Sequence, residues 1–342
     1  MGIVDWFRNR LGRFDPDRAA DEAVVWGVEK AVALTNPKLR LLPDCEKRLT
    51  PAVAKTVDFL REQAHAFPAA RPLSAADWSS DPVWRAFFVA STDVPAVLGR
   101  SDNLRTLFDK FPELDHAHLI LGMAVSEQKV FGMALQGNIV QRDVAQVSVS
   151  FSDHQARLCA GDEMRLRRVV GVQIFEYLMA HALAEIGAER VERQELQASR
   201  SLIRARLRLL EQHGPGLGSL FGSAPAARGE QARLEAELLD NERQLEALGA
   251  SESALDAELD CLTTVLSEPQ RYLRIEPKHM RLNAMNVVVP EASSEAAADI
   301  DFAVAELSGS PPMRRAFVVA RVARTELPAA QGIDFAAATR YL

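Results

Sequence analysis

The chain has 342 residues, 48% of them hydrophobic and 25% charged, with a formal net charge of −7. That length supports two or three compact units with cores of their own. The acidic balance excludes a general electrostatic pull toward nucleic acid or anionic lipid. Three widely spaced cysteines, Cys45, Cys159 and Cys261, form no CxxC pair, which excludes a disulfide framework and suits a reducing compartment. No uninterrupted apolar run approaches 18 residues, so no membrane-spanning helix is expected. The opening MGIVDWFRNRLGRF lacks the apolar core of a secretory signal, and a cytoplasmic protein is the expectation.

Residues 1–112 read as a helical N-terminal region. Ile3, Phe7, Leu11 and Phe14 stand at helical spacing among Arg8, Arg10 and Arg13, so residues 1–14 form a helix able to lie in a membrane surface or dock on the protein itself. Val24, Val25, Val28 and Val32 predict a helix from Asp15 to Thr35. A second helix is predicted from Thr50, an N-cap followed by Pro51 at the first helical position, to about Ala66. Residues 67–82, rich in Pro, Ser and Ala, read as a surface loop.

Near Asp115 the pattern changes to strands over 117–126, 129–136 and 139–151, with a further short strand from Arg157 to Ala160. Val144, Val147, Val149 and Phe151 alternate with polar residues, as a strand requires. Gln136, Gly137 and Asn138 make a turn between two of the strands.

A long helix then opens at Gly161-Asp162-Glu163 and runs to His213. Residues 214–229, with five glycines and two prolines, break it. Helix resumes at Glu230 and carries a leucine ladder to Glu268. Leu234, Leu238, Asn241, Leu245, Leu248, Glu252, Leu255, Leu259, Leu262 and Leu266 follow one another in alternating steps of four and three. That is the seam of a coiled coil, and so thin an apolar stripe needs a partner helix. The first arm carries Arg200, Arg204, Arg206 and Arg208; the second is strongly acidic. The arms therefore complement each other when folded back as an antiparallel hairpin, with Leu210 facing Leu234, Ile203 facing Asn241, Leu196 facing Leu248 and Arg193 near Glu252.

Strands return after Pro269, over 272–276, 280–289, 299–307 and 315–327. The expected fold is α+β: a helical region (1–112), an antiparallel sheet built from 113–162 and 269–342, and an inserted coiled-coil hairpin (163–268) with a Gly/Pro-rich tip (214–229).

Candidate chemistry is sparse. His116 and His118 alternate onto one face of a strand and, with His154 from the Ser152-Asp153-His154 run, make a candidate metal site. No nucleophile elbow supports a hydrolytic triad. The glycines after the first arm lack the Lys-Ser/Thr pair of a phosphate loop, and no motif points to a cofactor. Leu217, Leu220 and Phe221 sit among those glycines and form a candidate partner contact at the tip. The leading expectation is a non-enzymatic scaffold or regulatory protein that binds a protein partner, not nucleic acid, through the hairpin. The alternatives are a metal-dependent enzyme and a peripheral membrane protein held by residues 1–14.

Overall fold

The computed structural model describes residues 16–136, 139–212, 224–248, 254–291, 293, 295–309 and 311–329. The expected N-terminal amphipathic helix, the turn at 137–138, the glycine-rich tip with Leu217, Leu220 and Phe221, and Glu252 lie outside the described residues. The chain divides into two compact units, Met1–Val57 with Glu176–Glu268, and Asp58–Phe175 with Pro269–Leu342.

The helical unit contains α1 (Pro16–Leu34) and the start of α2 (Cys45–His65). It also holds most of the long helix α7 (Glu163–Gln212), together with α8 (Ala224–Ala247) and α9 (Ala254–Ser267). The helix expected to begin at Thr50 begins at Cys45 instead. Pro51 lies inside it, and the Thr50 hydroxyl donates to the Glu46 carbonyl at 2.7 Å rather than capping a helix start. The core gathers Val32, Leu39, Leu49, Val53, Leu178, Met179, Ile186, Leu259, Leu262, Val265 and Leu266, all buried. Thr56 is also buried and donates to the Leu266 carbonyl at 2.5 Å.

The second unit is built on one sheet. Its strands are β1 (Arg71–Pro72), β2 (His116–Gln136), β3 (Ile139–Ala160), β4 (Leu273–Leu282), β5 (Ala298–Leu307) and β6 (Met313–Ala323). The order is β3-β2-β6-β5-β4, antiparallel throughout, with β1 added in parallel to β6. Segments before and after the helical hairpin thus share one sheet, because β6 pairs with β2 over residues 116–123. Pro277, which has no N–H to give, sits on β4 at the sheet edge, where a missing donor costs least.

Alternation along β2 sorts its residues onto two apolar layers. Ala117, Leu119, Leu121 and Met123 face a core that includes Trp84, Phe87, Phe88, Leu98, Leu104 and Phe108. These come from three short helices, α4 (Pro82–Phe87) with its C-cap Phe88, α5 (Asp93–Gly99) and α6 (Asp102–Lys110), and Trp78 of α3 (Asp77–Ser80) packs against them. The expected loop at 67–82 therefore contributes both a short strand and a helix. Ile120 faces the opposite layer, with Phe67, Leu166, Val170, Ile275 and Phe317. Arg324 closes the C-terminal end of α6. Its guanidinium lies 4.6 Å from the centre of the Phe108 ring and donates to the carbonyls of Phe108, Phe111 and Leu114 at 2.8–3.1 Å.

Where several separate strands are expected before α7, the chain forms two long ones. The β2–β3 pairing shifts register three times, each time with the extra residue on β3. Asp143, Asp153 and Leu158 have positive φ (59°, 49° and 48°) and lie one at each shift. These are β-bulges, which bend and twist a ribbon that would otherwise run flat.

By length and composition α7 also contains a window apolar enough to cross a bilayer, which counting uninterrupted apolar runs does not reveal. One third of that window is buried.

Candidate interaction surfaces

The histidines proposed as metal ligands do not converge. His116 and His118 do share a face of β2, as alternation requires, and it is the face of Ile120. His154 sits in the bulge at Asp153, opposite Met123, and its ring stacks on Phe88 at 4.6 Å in the other layer. Met123 stands five positions along β2 from His118, about 17 Å at ~3.3 Å per residue. Among the described residues no group of three His, Cys, Asp or Glu stands where it can hold a metal ion. The register is the reason: the shift at Leu158 leaves His154 on the face of Met123, where Phe88 waits. Burial there pushes the His154 imidazole below its ordinary value.

The neighbouring Asp153 is committed elsewhere. Its carboxylate accepts from Gln155 at 3.0 Å and pairs with Arg315 at 2.8 Å, which together hold it below the usual carboxylate range. The thiols are poor nucleophiles. Burial pushes Cys159 up to about 11, and burial with Glu185 and Glu189 nearby pushes Cys261 up to about 12. Cys45 is raised by burial as well.

In the helical unit the two arms face each other in opposite directions. Arg204 pairs with Glu242 at 2.6 Å, and the Asn241 side-chain amide donates to the Leu196 carbonyl at 3.1 Å. Arg193 donates to the Leu248 carbonyl, and Arg190 grips Glu258 through Nε and Nη2 at 2.8 and 2.6 Å. Partners fall from 258 to 248 to 241 as residues rise from 190 to 193 to 196, and Arg204 reaches Glu242 beside Asn241, which is antiparallel pairing. Ile203, Leu234 and Asn241 are buried on this seam. The leucine ladder spans two helices, α8 ending at Ala247 and α9 beginning at Ala254, with 249–253 outside the described residues. Arg193, placed near Glu252 by the sequence, spends a donor on a backbone carbonyl. Its Nε and Asn241 Oδ1 are buried without hydrogen-bond partners among the described residues. Glu258, also buried, receives Asn36 at 2.6 Å in addition to Arg190.

The surface that sequence reading passed over is the far part of the β2–β3 ribbon. Beyond Met123, among the described residues, β2 pairs with β3 alone. Residues 124–136 extend about 40 Å at ~3.3 Å per residue. The root is held on the outer edge of β3, where Val149 N–H donates to Asn286 O and Val288 N–H to Val147 O, both at 2.8 Å. Farther out, Phe131 is 79% exposed and Met133 66%. Phe131 lies opposite Ala145 and on the same face as Val125, which packs on the core of the unit. On that face β3 carries Val149, Val147 and Ala145 outward from the core, while β2 places the exposed Glu127 and Lys129 before Phe131. The apolar content of 129–136 was legible; that β6 stops short of it was not. Comparison with family models, with curated proteins and with solved structures gives no match.

Proposed function

We propose that this chain is a non-enzymatic scaffold or regulatory protein of the cytoplasm that binds a protein partner through projecting elements, the β2–β3 ribbon and the coiled-coil hairpin. The observation that carries the reading is the far end of the ribbon, where Phe131 and Met133 are more than half exposed and the two strands, among the described residues, pair only with each other. A two-stranded ribbon with an apolar face is marginal in water by itself, and an added strand or apolar segment from a partner removes both the exposed side chains and the open backbone edge. The occupant is an extended, apolar protein segment. Glu127 and Lys129, both exposed on this ribbon, favour a protein surface over the interior of a lipid bilayer. Three free cysteines suit a reducing compartment.

The test is a photo-crosslinking residue in place of Phe131 in the native cell. Capture of a second protein, lost when Met133→Ser and Val130→Ser are added, supports the reading. Crosslinks to lipid alone, or a crosslinked protein that the added substitutions do not release, overturn it. Each substitution is at the surface, so thermal stability is expected to stay within about 0.5 kcal/mol of the parent.

A further inference from the structure

We infer that α7 carries a second seam, turned away from α8, and that a second copy of this chain packs on it antiparallel. Val191, Glu195, Ala198, Leu202, Ala205 and Leu209 follow one another in steps of four, three, four, three and four. At ~100° per residue they fall within about 40° of one line along the helix, while Leu196 and Ile203, which face the other arm, lie about 120–140° away. Much of this second line is exposed. Val191 is 55% exposed, Leu202 62% and Leu209 53%, and Ala198 and Ala205 are exposed between them. The large aliphatic residues supply the contact, and the alanines let a second helix approach closely.

The charges name the occupant. Arg190, Arg193 and Arg204 are already engaged by Glu258, the Leu248 carbonyl and Glu242. Glu192, Glu195, Arg206 and Arg208 form no ion pair among the described residues and are exposed. Acids thus precede bases along one helix. An antiparallel copy, with the twofold axis passing near Arg200, sets Val191 opposite Leu209 and Ala198 opposite Leu202. Glu195 falls opposite Ala205, with Arg206 of the second copy beside it. Glu192 and Arg206 flank the seam on the same side as Glu195, so the twofold repeats the acid–base contact at both ends. A parallel copy would set Glu195 on Glu195 and Arg206 on Arg206. The charge within the stripe, costly against lipid, is matched by this partner. Two hairpins joined through α7 make a layer of four helices, the outer two being the acidic arms.

The experiment is size-exclusion chromatography with light scattering on the full chain over a range of concentrations. The expected mass is twice the 37.6 kDa of the chain. Leu202→Glu is expected to give the monomer with helical content unchanged. Glu195→Arg and Arg206→Glu alone are each expected to weaken association about ten-fold, because one substitution breaks two symmetry-related pairs. Glu195→Arg combined with Arg206→Glu is expected to restore it. A parent chain that stays monomeric at every concentration overturns the inference. A dimer indifferent to Leu202→Glu, or one the double swap does not recover, overturns it too.

Discussion

Asn241 sits in the hairpin seam at 6% exposure, where its neighbours along the ladder are leucines. Its amide donates to the Leu196 carbonyl, but its Oδ1 is buried with no partner among the described residues. Replacing it with leucine removes one hydrogen bond, worth about 1 kcal/mol net, and also removes an unsatisfied acceptor that costs about 1–3 kcal/mol. The new side chain gains about 2 kcal/mol by burial. The Leu196 carbonyl keeps its place in the helix ladder and is not orphaned. Allowing for the larger volume, Asn241→Leu is expected to stabilise the hairpin by about 2 kcal/mol, and to relax the register that the polar layer imposes. Urea unfolding followed by circular dichroism at a helical wavelength is the assay. At a slope of about 3 kcal/mol/M the midpoint rises by about 0.7 M. A midpoint that falls means that Asn241 is not on a closed seam, and the pairing of α7 with α8 is then wrong.

Further expectations follow from single groups. Glu258→Ala removes the acceptor of both Arg190 and Asn36 from a buried site, at a cost of about 3 kcal/mol in denaturant unfolding; the half-exposed Arg190 regains water, so the loss does not reach that of a fully buried pair. Glu258→Gln is expected to recover part of it. His279, hydrogen-bonded to Asp301 at 2.7 Å, is raised above the ordinary imidazole value, so its contribution is whole below that value and fades as pH rises through the folded-state pKa. His154 is lowered by burial, so its contribution is whole above the ordinary value and fades as pH falls toward the folded-state pKa. Imidazole NMR titration is expected to place the two on opposite sides of a free histidine, and Asp301→Asn to bring His279 back toward it.

Much of the architecture was legible because it rests on periodicity. The 4-3 ladder and the opposite charges of the arms pointed to an antiparallel hairpin, and the hydrogen bonds of Arg204, Asn241 and Arg190 run that way. Alternation at Val144, Val147, Val149 and Phe151 marked strand, and β3 covers them. What failed depends on tertiary context. Glu127 and Gln128 read as a gap between strands, yet a ribbon solvated on both faces needs no apolar alternation to continue. The bulge at Leu158 carries no Gly or Asn to announce its positive φ. The same bulge puts His154 on the other face from His116 and His118, and nothing in Ser152-Asp153-His154 shows it. Pro51 looked like a helix start because Pro is common there, but Cys45 and Leu49 are buried and hold an earlier turn in place. The second stripe on α7 was readable in principle; it was missed because alanine is easily left out of an apolar count.

The most direct test of the account is a distance within one hairpin. Spin labels at Ser201→Cys and Arg243→Cys, on exposed positions of the two arms, are measured after replacing Cys45, Cys159 and Cys261 and diluting with unlabelled chain. Helices packed about 8–10 Å apart, with the reach of two label arms, give a single distance of about 20 Å, and dilution leaves it unchanged. A distance that vanishes on dilution, or a broad distribution beyond about 40 Å on the same ~10 Å packing scale, would contradict the closure of α7 on α8 within one molecule.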